Sequence, residues 1–296
     1  LGLGAKDEQT KSFKQVNFDD YLQAQNHFSF GPAVAVIVAE GEISEGNAPP
    51  GAIGGMSTAN LVRKAREDEQ VKAVVVRVDS PGGSAFGSEL IRQELELTRK
   101  VGKPVVISMG NVAASGGYWI SMSSDEVIAD AATITGSIGV FAIFPTADKV
   151  LDKIGVHTAG TTTTWLSDSF NPLRPMNPRF GEVIQLGINN IYSEFTTKAA
   201  AARKTTPEKI DEVAQGRVWT GEQAKERGLV DRIGSFQDAL KSAATLAKLG
   251  SDYRVTYIER EPSKFDRFFS MFEDGAAKAA ARAINDQFKV AVAPSG

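Results

Sequence analysis

Cysteine is absent from the 296 residues, and histidine occurs only at His27 and His157. The first absence removes disulfides, thiolate nucleophiles and cysteine-ligated zinc, and it is compatible with an oxidising or a reducing compartment. The second leaves too few imidazoles for a histidine-rich metal site, and no metal or other cofactor is expected. A strong charge of either sign is also missing. Lys and Arg number 33 against 36 Asp and Glu, a net charge of −3 with the basic residues scattered, so nothing argues for nucleic acid as a partner. No apolar run has the length of a signal peptide core or a membrane span, and the opening residues carry neither an initiating methionine nor a basic n-region. The chain is expected to be an excised piece, with any targeting or anchoring segment outside it.

What is present is ordinary globular material, 42% hydrophobic, arranged as a repeated plan. After a polar lead-in over residues 1–31, "AVAVIVAEGEI" reads as a strand, "EGNAPPGAIGG" as a loop, and a helix opens at Ser57. "VKAVVVRVD" is a β-branched run of the buried-strand type, followed by the turn "SPGGS" and the amphipathic helix "SELIRQELELTRK". "PVVISM" repeats the strand, "GNVAAS" the turn and "GGYWISMSS" the helix start. Crossover units of this kind predict an α/β domain with a largely parallel sheet, and in such sheets sites lie beyond the carboxyl ends of the strands.

Further on, "EVIAD" and "SIGVFAIF" read as short strands and "TADKVLDKIG" as a helix. Residues 161–178 are irregular, and a long helix covers about 180–203. One domain is expected over 32–250, with a strand and helical tail over 251–296. In that tail Phe265, Phe268, Phe269, Met271 and Phe272 fall at mostly helical spacing, read as a helix packed on a neighbour rather than on a membrane surface.

Ser115, in "GNVAASGGYWIS", stands at a strand-to-helix corner among small residues. It is either a helix cap or a nucleophile. The second Gly-rich turn bears on the choice. The N–H groups of Gly82 or Gly83, together with that of Gly116, could form a donor pair for a developing oxyanion at the same sheet edge. A helix starting near Ser115 would add its positive end, and Ala113, Ala114, Gly116 and Gly117 keep the approach open.

"VVVRVDSPGGSAFGSELIR", "KPVVISMGNVAASGGYWIS", "ITGSIGVFA" and "AQGRVWTGEQAKERGLVDRIG", in this order, resemble the signal peptide peptidase A family. These are serine proteases of the superfamily that also holds the Clp protease and the crotonases. The likeness covers about Val34 to Gly250 and is greatest to the carboxy-terminal half of the long, two-repeat bacterial form. It implies a Clp protease/crotonase-type fold and a Ser–Lys endopeptidase that digests cleaved signal peptides at the outer face of the cytoplasmic membrane. It also implies Ser115 as nucleophile and the Gly82–Gly83 turn as the oxyanion segment.

The general base is the gap. His157 is expected in a strand with a locally bonded ring and no acidic residue to orient it. A lysine base must be neutral, its pKa brought from about 10.4 towards roughly 7 by burial and a hydrogen-bonding partner. Lys149 and Lys153 look like a solvated helix face, and Lys72 and Lys103 precede their strands, at the far end of the sheet.

In the resembled family the catalytic lysine falls in a segment matching "TTTWLSDSFNP", where this chain has Trp165, Leu166 and Ser167. The resemblance therefore implies a lysine supplied by an amino-terminal repeat of the same protein, with homo-oligomerisation completing the site. Ser167 and Ser169 would at most orient it. The chain alone is expected to be inactive, with apolar peptides as substrates of the whole and membrane association arising from parts outside this chain. A crotonase-like acyl-CoA enzyme and a non-catalytic scaffold repeat are the alternatives.

Overall fold

The β-branched runs form the parallel strands of one sheet. The computed structural model describes residues 31–260 apart from 50 and 252. Strand β1 (Ala33–Glu40) is followed by the short pair β2 (Ile43–Ser44) and β3 (Ile53–Gly54) and by helix α1 (Gly55–Glu67), which opens two residues before Ser57. Then come β4 (Val71–Ser80), α2 (Ala85–Lys100), β5 (Val105–Ala114) and α3 (Gly116–Ser121). The later elements are β6 (Glu126–Ala129), β7 (Ile134–Gly136), α4 (Asp148–Lys153), α5 (Pro178–Arg203) and α6 (Pro207–Val213). Strand β8 (Val218–Thr220), α7 (Gly221–Glu226), β9 (Arg232–Ile233), α8 (Phe236–Leu246) and β10 (Arg254–Tyr257) complete the described chain.

The sheet runs β10-β1-β4-β5-β6-β9, and every pair along it is parallel. Both faces are covered, which is why its central strands are continuous apolar runs rather than alternating ones. Val34, Val36, Ala73, Val75 and Val106 pack against Ala239, Leu240 and Ala243 of α8. The intervening Ala35, Ile37, Val74, Val76 and Ile107 face the larger cluster, which takes in Val62 of α1, Leu95 of α2 and Phe195 of α5. The predicted α/β architecture of crossover units is therefore the observed one, and β10 adds residues 254–257 to the edge of the same sheet.

Two sequence-based assignments fail. "GNVAA" is not a turn, because β5 continues through it to Ala114. The register against β4 slips between Val78 and Ser80, where Val78 faces Met109 and Ser80 faces Ala113, so β5 bulges between Met109 and Ala113. Asp79 holds the bulge, its carboxylate accepting from the Asn111 and Val112 N–H groups at 3.2 and 3.0 Å.

"SIGVFAIF" is not a strand either. The strand is Ile134–Gly136 just before it, and Phe141 and Ile143 are 83% and 77% exposed. No neighbouring strand among the described residues pairs with the segment. The expected aromatic tail helix, with Phe265 to Phe272, lies outside the described residues, as does the lead-in before residue 31.

Candidate active site

Ser115 joins β5 to α3 in a conformation an L-residue reaches at a cost, with φ +52° and ψ −116°. Such backbone costs on the order of 1–3 kcal/mol and persists only where its surroundings enforce it. Here the enforcement comes from both sides: the Ser115 N–H donates to Gly136 O at 2.9 Å, and the Trp119 N–H donates to Ser115 O at 2.9 Å. Ser115 occupies the N-cap position, yet its hydroxyl caps nothing and has no hydrogen-bond partner among the described residues. The helix-cap reading fails on that geometry. A strained strand-to-helix turn that pushes a free serine hydroxyl into a cleft is the local arrangement nucleophilic serines use.

Gly82 and Gly83 come from the end of β4 and lie directly against this corner. A Cβ built on Gly82, at φ +108°, would stand 2.7 Å from Gly116 N and 2.8 Å from Ser115 Cβ, and one on Gly83, at φ +142°, 2.2 Å from Ile43 O. Neither position admits a side chain. Their N–H groups differ in availability. That of Gly82 donates to the buried Ser80 hydroxyl at 3.1 Å. Those of Gly83 and Gly116 have no acceptor among the described residues, and a Cβ on Gly116 would lie 3.2 Å from Gly83 N. Two unpaired donors thus converge beside Ser115, the pattern of an oxyanion site. Helix α3 spans only six residues, so its contribution is the free Gly116 N–H rather than a sizeable dipole.

One edge of the Gly82–Ser84 turn is taken by the chain itself: Ile43 N–H donates to Gly82 O, and Ser84 N–H to Ile43 O, both at 2.8 Å. The other edge, with the Gly83 N–H, faces a cleft of about 340 Å³ that contains Ser115. Its walls are mainly apolar, with Trp119, Val140, Phe141, Ile191 and Phe195, and Glu42 is the charged side chain among the described lining residues. Ser137 also lines it, at φ +50°. The sequence reading singled out neither Ser137 nor Trp119. The only available signals were the turn "TGSIG" and a Trp one helical turn after the serine.

No lysine lines the cleft among the described residues. Lys103 donates to Ala65 O and Asp68 O at the opposite end of the strands, its pKa lowered chiefly by burial. Lys149 and Lys153 are exposed on α4. Lys198 pairs with Glu194 at 3.3 Å and approaches Glu89 at 3.9 Å.

His157 corrects its expectation on two counts: it is in no strand, and its Nδ1 lies 3.1 Å from Asp152. Both side chains are exposed and line a different depression. Ser167 and Ser169 do not reach the cleft. Ser167 shares a hydrogen bond with Thr164 at 2.9 Å, and Ser169 donates to Trp165 O at 2.7 Å.

With this geometry in hand, comparison with known proteins is informative. The model of "Peptidase family S49" matches residues 98–250. Protease 4 of Salmonella typhi is 46% identical over 255 residues, which is 86% of this chain and 41% of that protein. The chloroplastic serine protease SPPA of Arabidopsis thaliana is 37% identical over 231 residues, 76% of this chain and 34% of that protein. The chain thus spans about two fifths or less of the length of these relatives. The solved structure of the 1510-N membrane-bound stomatin-specific protease aligns at TM-score 0.47 and 15% identity, covering 79% of this chain and 100% of that one.

Proposed function

The chain belongs to peptidase family S49, and from that premise we propose that it is the nucleophile-bearing repeat of a serine endopeptidase that cleaves apolar peptides such as signal-peptide remnants. One observation carries the reading: a strained Ser115 with an unengaged hydroxyl, set in an apolar cleft between two unpaired backbone N–H groups. Ser115 Oγ attacks the peptide carbonyl carbon while a neutral lysine amine takes its proton. The carbonyl oxygen, now anionic, is held by the Gly83 and Gly116 N–H groups. The C–N bond then breaks, the lysine returns the proton to the leaving amine, and water releases the acyl group by the reverse sequence. Gly82 serves by lacking a side chain, which lets the two turns approach.

The base is assigned to an amino-terminal repeat of the same protein. The absence of a cleft lysine among the described residues and the short span of the relatives' length support this. Assembly as a homo-oligomer at the outer face of the bacterial cytoplasmic membrane belongs to the same proposal. Among the described residues no helix is long and apolar enough to cross a membrane. Substrate is placed as an extended segment on the free edge of the Gly82–Ser84 turn.

Labelling tests the reading. A fluorophosphonate added to the chain together with its amino-terminal repeat should modify Ser115, located by peptide mass mapping. Modification of Ser137 in its place, or of no serine, contradicts it.

A further inference from the structure

Behind the apolar end of the cleft stands a carboxylate, Glu89, that is bonded to a wall residue and does not itself line the cleft. Trp119 is 2% exposed, and its ring lies 4.5 Å from that of Phe195, the two forming the wall beside Ser115. Packing against Phe195 and the surrounding core confines the indole without setting its tilt, since aromatic pairs tolerate a range of offsets. What removes that freedom is a directional bond: Trp119 Nε1 donates to Glu89 Oε2 of α2 at 2.8 Å.

Glu89 is itself fixed. Arg92 grips it with Nε and Nη2 at 2.8 and 2.9 Å, and Gln93 donates to Oε1 at 2.9 Å. Arg92 is in turn tied to Glu96 and Ser123 at 2.8 and 2.6 Å. Burial pushes the Glu89 carboxyl upward, but the hydrogen bonds from Arg92, Trp119 and Gln93 and the Arg92 charge outweigh it and bring the pKa down to about 2. The Lys198 ammonium sits 5.5 Å from the centre of the indole ring and 3.9 Å from Glu89 Oε1.

From this arrangement we propose that Glu89 is a positioning residue for the peptidase site: through Trp119 it sets which apolar side chain the pocket beside Ser115 accepts. The network lies outside the nucleophile and its donors, yet it touches them through one helical turn, because the Trp119 N–H is bonded to Ser115 O. Releasing the indole changes pocket shape first and the register of Ser115 second. Selectivity between side chains is therefore the sensitive quantity. The proposal rests on the peptidase reading for what enters the pocket, and on the geometry alone for how the indole is held.

The test has two arms. In the chain joined to its amino-terminal repeat, kcat and KM are measured for two fluorogenic peptides that differ only in Leu or Phe before the scissile bond. Glu89→Ala should change the ratio of their kcat/KM values by about tenfold, the discrimination that a methylene or so carries in an apolar pocket, with most of the change in KM. Glu89→Gln, which keeps an acceptor oxygen for the indole, should restore most of it.

The second arm needs no catalysis. In the 296-residue chain labelled with 5-fluorotryptophan, the 19F resonance lost in Trp119→Phe should be single and sharp. It should split or broaden in Glu89→Ala and sharpen again in Glu89→Gln. An unchanged Trp119 resonance in Glu89→Ala overturns the proposal, as does an equal loss on both peptides. If the unsubstituted protein cleaves neither peptide, the peptidase reading fails, and the resonance alone decides whether Glu89 holds the indole.

Discussion

Ser115 is the nucleophile of the proposed reaction and also a point of stored strain, and the two can be separated by substitution. Glycine adopts positive φ freely, so Ser115→Gly removes about 1–3 kcal/mol of strain against about 0.5–1 kcal/mol of added unfolded-state entropy. The variant should be about 1 kcal/mol more stable in urea denaturation while losing peptide hydrolysis altogether, and a loss of stability would mean the turn is unstrained. Glu89 gives a second prediction at this scale. Its folded pKa, about 2, lies below the ordinary 4.5, so its contribution to stability is complete above about pH 4.5 and disappears as pH falls towards 2. The gap in urea midpoint between the native chain and Glu89→Gln should be open at pH 6 and largely closed near pH 2. Ser115, Gly82, Gly83 and Gly116 stood out in the sequence because small residues beside a serine have a chemical meaning of their own. Trp119 and Ser137 did not, because an aromatic or a serine acquires a site role only through neighbours brought in from α2, α5 and β8.

Among the elements, the bulge in β5 ends two residues before Ser115 and is expected to aim the serine. Two residues of β4 span four of β5, and the Asp79 carboxylate accepts from the two N–H groups the slip leaves unpaired. Asp79→Ala should cost about 1–3 kcal/mol for the orphaned donors. It should also lower fluorophosphonate labelling of Ser115 by more than tenfold, because displacements of about 1 Å at a reacting atom cost on the order of 10²-fold. Labelling at the native rate would show that the bulge does not aim the serine.

The parallel strands themselves were legible, since runs such as "VKAVVVRVD" have no polar face and must be covered on both sides. The bulge was not, because Gly110 and Asn111 read as a turn until a carboxylate more than thirty residues upstream is placed beside them. "SIGVFAIF" misled for the converse reason. Its apolar content suits a strand, but a strand needs a partner edge, and β7 has already taken the available one before Ser137.

Taken whole, the molecule presents a strained serine with an unengaged hydroxyl, two unpaired backbone N–H groups and an apolar cleft, but no lysine or histidine within that cleft among the described residues. The fold and the position of the serine could be read from this chain. The base could not, because it is assigned to a partner repeat, and neither composition nor spacing within one chain encodes what a second unit brings to an interface. The most direct measurement is turnover of a fluorogenic apolar peptide by the chain alone and by the chain joined to its amino-terminal repeat, each with and without Ser115→Ala. The account predicts turnover only in the joined form, falling by a factor on the order of 10³ or more when Ser115 is replaced. Turnover by the chain alone that disappears with Ser115→Ala would contradict the shared site, and turnover in the joined form that survives Ser115→Ala would contradict the nucleophile itself.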